Sequence, residues 1–207
     1  MNKLKEFNFR ELQNNYIYID SKELLPALSD YFEAPAEATG IFTYCYLEHT
    51  KGMCLEMLCT AAFDETSRSI KFYNTNDDAS IALPFEAMLD CNSLILPVSI
   101  LPKDRFSKKV EPLNAETNLS EGVKKGRSIT AMDHLRSISN PDAVLVQLVH
   151  GDAHIEAHYV LLEDVGEMNL SGILLSEPNF NCGVHQGEAL SFYLVRNEKG
   201  VMCLAML

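Results

Sequence analysis

Three groups of residues in this chain carry side chains able to do chemistry. The first is His154, Glu156 and His158, spaced two apart, with His150 just upstream. Imidazole and carboxylate together are ligands for zinc or iron. In a strand, at roughly 3.3 Å per residue, His154 and His158 stand about 13 Å apart, so only neighbours two apart could share one ion. The metal reading therefore needs further ligands, for which the loop around His185 is the source. The second group is Glu177-Pro178. A carboxylate here could act as an acid or base, but no partner carboxylate is placed with it, and satisfying backbone donors in a turn is the plainer role. The third is Cys182 with His185, a thiol and an imidazole in one loop. A catalytic thiol needs an oriented base and a lowered pKa; otherwise Cys182 is a loop cysteine packed under a barrel. No GxGxxG, GxxxxGK or GxSxG run is present, so nucleotide-binding and α/β-hydrolase readings have no footing.

The elements that must hold these groups follow from hydrophobic patterning. Val144 to His150 and Ala153 to Glu163 flank Gly151-Asp152, a glycine-first pair suited to a two-residue type II′ turn. That turn pairs Val149 with His154, Gln147 with Glu156 and Leu145 with His158. Leu148 with Ile155, Val146 with Ala157 and Val144 with Tyr159 then form a wholly apolar core face, leaving the histidine row on a polar face. Asn169 to Leu175 is the next strand, with Gly172 where a bulge or close backbone approach needs it. Ala189 to Val195 and Val201 to Leu207 complete five short strands, the pattern of a small SH3-like antiparallel barrel or curled sheet. A short helix over Ser128 to Ser137 precedes them.

Upstream, Asn15 to Ile19 reads as a strand and Lys22 to Ala34 as an amphipathic helix ending near Pro35. Ile41 to Leu47 and Met53 to Thr60 make a hairpin, and Ile70 to Tyr73 and Ser80 to Leu83 are short strands. Pro84 to Leu89 is a helical turn, and Ser93 to Leu101 is a strand confined by Pro97 to an edge or bulge. The expected fold class is α+β: an N-terminal mixed unit over 1–102, a basic polar linker over 103–127, and a C-terminal helix and barrel over 128–207. Between Lys103 and Arg127 seven basic residues stand against four acidic ones. A phosphate contact there lacks the interleaved aromatic residues that single-strand binding uses, apart from Phe106.

Bulk composition narrows the function classes. The 207 residues hold 17 basic and 29 acidic side chains, a formal charge of -12 that repels nucleic acid and anionic membrane and suits a basic protein partner. Six cysteines without a CxxC pair read as reduced thiols in the cytoplasm. The first residues hold no apolar signal-peptide core, and no apolar run approaches the roughly 18 residues of a membrane span. Neither nucleic acid, membrane nor cofactor is expected.

Glu156-Ala157-His158-Tyr159, then GILLSEP from Gly172, then GVHQGE from Gly183 to Glu188, resemble the YegJ-like bacterial family of uncharacterised domains. That family shares a Glu-His-x-Trp strand, a Gly-x-Leu-x-Asn-Glu-Pro turn and a Gly-Leu-x-x-Gly-Asp step. Here Ala157, Tyr159, Ser176 and Glu188 stand at the family's histidine, tryptophan, asparagine and aspartate. The likeness is confined to the C-terminal third. It implies a bacterial, cytoplasmic, non-catalytic domain, some relatives of which look like immunity proteins. Three readings follow. One is an interaction protein, immunity-like, that engages a basic partner through acidic surfaces, with Glu156, His158, Tyr159, Glu177, Pro178 and His185 as candidate binding residues. The second is a metal-dependent enzyme or sensor using His154, Glu156 and His158. The third is a carrier of small ligands.

Overall fold

A computed structural model describes residues 1–97, 99, 105–114, 119–151, 154–198 and 200–207, with Asn74 described by its backbone alone. The chain forms two compact units, Met1–Thr117 and Asn118–Leu207.

In the first unit the elements are β1 (Asn2–Lys3), α1 (Phe9–Leu12), β2 (Asn15–Asp20), β3 (Gly40–Glu48), β4 (Gly52–Asp64), β5 (Ser69–Thr75), β6 (Ala82–Pro84), β7 (Asn92–Leu96) and α2 (Ser107–Asn114). The seven strands make one sheet in the order β1-β7-β2-β3-β4-β5, with β6 also on β4. Both faces of its centre are covered, which is why β3 and β4 read as continuous apolar runs rather than alternating ones. Ile17, Ile19, Ile41, Leu55, Met57 and Phe85 pack on one face, and Tyr16, Tyr18, Phe42, Tyr44 and Leu58 on the other.

The expected helix after Ser21 is a 3-10 helix over Lys22–Leu28. Pro26 stands inside it with no N–H to give to an α-helical ladder, and the tighter bonds Leu24 N to Ser21 O and Ser29 N to Pro26 O take its place. The stretch expected as a polar linker carries two helices instead. Phe106 and Val110, on and just before α2, are buried against the aromatic face of the sheet. Its cations are engaged as well: Arg105 lies over the rings of Phe72 and Phe106, and Lys109 donates to the carbonyls of Met57 and Ala79. Lys103 lies outside the described residues.

In the second unit α3 (Glu121–Ser128) lays Gly122, Val123 and Gly126 toward β9, and a 3-10 helix over Thr130–Leu135 follows. Then come β8 (Ala143–His150), β9 (His154–Val165), β10 (Leu170–Leu174), β11 (Ala189–Asn197) and β12 (Gly200–Met206), closed into a barrel in the order β10-β11-β12-β8-β9. Sequential neighbours run antiparallel, so with five strands the first and last point the same way, and β12 meets β8 in parallel. The expectation of an α+β chain with a mixed N-terminal unit and a small SH3-like antiparallel barrel is corrected on these findings. The described helices are few and short, strands dominate both units, and two sheets organise the chain. One inference from local chemistry stands: at Gly172 the β9–β10 register shifts, and a Cβ there would meet the carbonyl oxygen of Leu161 at 2.2 Å.

The β8–β9 register differs by one residue from the expected one. His150 pairs with His154, so three residues separate the paired strands instead of two, and Val149 meets Ile155, Leu148 meets Glu156, Val146 meets His158 and Val144 meets Val160. Asp152 and Ala153 lie outside the described residues. Because side chains alternate with a period of two, that single residue exchanges the faces of β9. Ile155, Ala157 and Tyr159 point outward and are exposed, while His158, Val160 and Leu162 turn into the barrel.

Candidate functional site

The inward face of β9 ends in a polar row at the barrel mouth, and the loop between β10 and β11 closes that mouth. Residues 175–188 are anchored at both ends by backbone bonds. Leu175 N donates to Tyr159 O, Leu174 N to Glu188 O, and Gly187 N to Leu174 O. Gly187 has φ 86°, the left-handed region in which glycine avoids a Cβ penalty, and this turns the chain back toward β11. Pro178, Cys182 and Val184 are buried, the last two packed with the barrel core together with the partly buried Phe180. The loop therefore folds as a plug, its apolar residues carrying it into the mouth.

Each polar residue of the β9 row meets its own loop residue. The ring of His154 stacks on Phe180 with centroids 5.5 Å apart, and His150 lies 5.9 Å from the same ring. Glu156 Oε2 accepts from the backbone N and from Nδ2 of Asn179, at 2.9 and 3.1 Å. The same oxygen lies 2.9 Å from His158 Nε2. His158 Nδ1 lies 2.7 Å from Ser176 Oγ. A carboxylate can only accept, so Nε2 carries a proton and donates to Glu156; in the neutral ring Nδ1 then accepts from the Ser176 hydroxyl. The bonds from Asn179 and His158 hold the Glu156 carboxyl below the usual carboxylate range.

A second pair lies on the outer side of the plug. Glu177 Oε1 is 2.6 Å from His185 Nδ1, and its Oε2 accepts from Gln186 N at 2.8 Å. Glu188 Oε2 accepts from His185 N at 2.9 Å. Hydrogen bonding to His185 lowers the Glu177 pKa, and the bond to Glu177 raises that of His185.

The candidate residues thus sort by position. Glu156, His158, Glu177, Pro178 and His185 come together in the plug or beneath it, and Tyr159 stands on the outer wall of the barrel. His154 belongs to the Phe180 stack, apart from the Glu156–His158 pair, and both ring nitrogens of His158 already have partners. Among the described residues no group of three His, Cys, Asp or Glu side chains is arranged to hold a metal ion. Cys182 and His185 do not form the nucleophile and base that their spacing allows: the thiol is buried against Val184 O, and the imidazole faces Glu177. Neither Ser176, noted only as standing at the family's asparagine, nor Asn179 was among the expected site residues. Only the correct β8–β9 register, which turns Glu156 and His158 inward, would have pointed to them.

Open clefts of about 530 and 270 Å³ lie on the first unit, one lined by Met1, Phe63, Glu65, Arg68 and Leu94, the other mainly by alanine and proline around Leu25. No protein-family model, curated protein or solved structure matches the chain. No helix among the described residues is long and apolar enough to cross a membrane.

Proposed function

We propose that this protein is an interaction protein, immunity-like as the YegJ-like resemblance implies, which captures a basic protein in the cytoplasm. The observation that carries this reading is the outer wall of the barrel. On four adjacent strands the outward residues include Ile155, Ala157 and Tyr159 on β9, Leu145, Gln147 and Val149 on β8, Met202, Leu204 and Met206 on β12, and Tyr193 and Val195 on β11. Gln147 lies within this patch, and the outward Ser191 and Asn197 of β11 flank it. Ile155 and Met206 are each 64% exposed, Tyr193 46% and Tyr159 40%, so water reaches side chains that ordinarily pack. A contiguous apolar wall of this kind, aromatic at two points, marks a docking surface.

Charge supports a basic partner. Residues 118–207 hold eleven acidic and six basic side chains, so long-range attraction would steer a cation-rich surface toward the wall while apolar contact holds it. The free thiols support a reducing compartment. The test uses the protein as bait in lysate of its source organism beside the variant carrying Ile155→Glu and Met206→Glu, both checked for equal thermal melting. The reading expects a basic protein that the parent retains and the variant loses. Identical sets on the two baits would remove the wall from the function.

A further inference from the structure

Ser176, His158 and Glu156 form one hydrogen-bonded chain, and each link has the polarity of a nucleophile, a base and an orienting carboxylate. We infer that Ser176 is a nucleophile toward activated acyl esters. The outer wall takes no part in this chemistry, so the inference stands or falls independently of the interaction reading.

Serine is a weak nucleophile unless a neighbouring base accepts its proton as it attacks, and the base must be held in the correct tautomer. His158 Nδ1 is 2.7 Å from Ser176 Oγ, within the range for proton transfer. The opposite ring nitrogen is 2.9 Å from Glu156 Oε2, which fixes the proton on Nε2 and stabilises the imidazolium formed when Nδ1 takes a second one. Glu156 is itself immobilised by two bonds from Asn179. The imidazole is 8% exposed, so its orientation is set by packing, whereas Ser176 is exposed where the plug leaves β10. A buried, oriented base under an accessible hydroxyl is more than anchoring a loop requires. Leu175, next in sequence to the serine, is an exposed apolar side chain that suits a short apolar acyl group over a charged one.

In the reaction Ser176 Oγ bonds to the acyl carbon while its proton passes to His158 Nδ1. The bond from that carbon to the leaving alcohol oxygen breaks, the oxygen keeps the pair, and the proton on Nδ1 is returned to it. Water then attacks the acyl-serine by the same route, giving the acid and restoring the hydroxyl.

The test incubates the folded full-length protein with p-nitrophenyl acetate, follows nitrophenolate release, and maps acetyl groups by peptide mass spectrometry. Acetylation at Ser176 is expected, lowered on the order of a hundredfold or more in His158→Gln, which keeps a polar side chain of similar reach. Ser176→Ala, with melting equal to the parent, is expected to lose that adduct and the associated release. A folded parent protein that shows neither acetyl on Ser176 nor nitrophenolate release lost in Ser176→Ala would overturn the inference. Equal acetylation of Ser176 in the parent and in folded His158→Gln would overturn it too, because the imidazole would then have no part in activating the serine.

Discussion

At the scale of single residues the plug is a set of paired ionisable groups, and the pairing has a pH signature. The folded-state pKa of His185 lies above its ordinary 6.5, so the stabilisation it gains from Glu177 is complete below that value and fades as pH rises through the raised one. The pKa of Glu177 lies below its ordinary 4.5, so its share is complete above that value and fades as pH falls through the lowered one. The pair is therefore fully formed in mildly acid solution and weakens on either side. An NMR titration of the His185 ring should give a midpoint above 6.5 that moves back toward it in Glu177→Gln; a midpoint at or below 6.5 in the parent would show that the pair is absent. Buried thiols behave differently. Burial pushes Cys59 up to about 12 and Cys203 up to about 11, and raises Cys45 as well. Iodoacetamide at neutral pH should leave these three unmodified in the folded protein and alkylate them after denaturation, because only the thiolate attacks. That these three cysteines are buried was legible from the apolar runs around them. The pairing of Glu177 with His185 was not, because eight intervening residues had to fold back as a plug before the two could meet.

At the scale of elements, legibility followed how far each feature depends on local chemistry. The β3–β4 hairpin and the strands β10 to β12 were readable from β-branched and aromatic runs bounded by turn residues, and the bulge at Gly172 from the glycine itself. Replacing Gly172 with Val should lower stability by about 1–3 kcal/mol, because the new side chain meets the Leu161 carbonyl, a backbone atom that cannot swing aside. The shift is read from the denaturant midpoint at unchanged slope. The face of β9 was not legible. Ile, Ala and Tyr at 155, 157 and 159 made a better-looking core face than a row with two histidines and a glutamate, and the loop length alone decided otherwise. Its choice rests on satisfaction of polar groups: turned inward at the barrel mouth, Glu156 and His158 find Asn179 and Ser176, and Val160 and Leu162 below them fill the core. Cross-strand NOEs between Val146 and His158 and between Leu148 and Glu156 are expected. Contacts pairing Leu145 with His158 and Gln147 with Glu156 would restore the two-residue turn and dissolve the serine chain with it.

For the whole molecule, the two units divide the labour of burial differently. The first covers both faces of its sheet, using α2 from the basic stretch as the lid on the aromatic side. The second fills its barrel and leaves an apolar wall outside. That wall sits on an acidic chain of formal charge -12, and the proposed capture rests on the two together: attraction at a distance, apolar contact on arrival. Charge was legible at once from composition, whereas the wall became visible only with the register of β9. The most direct measurement is capture by the parent protein from lysate of its source organism, washed in parallel at low and at high salt, with the retained proteins identified. A basic protein is expected to bind at low salt and to be retained less as counterions screen the approach. Retention of no protein, or of one that is acidic and indifferent to salt, would contradict it.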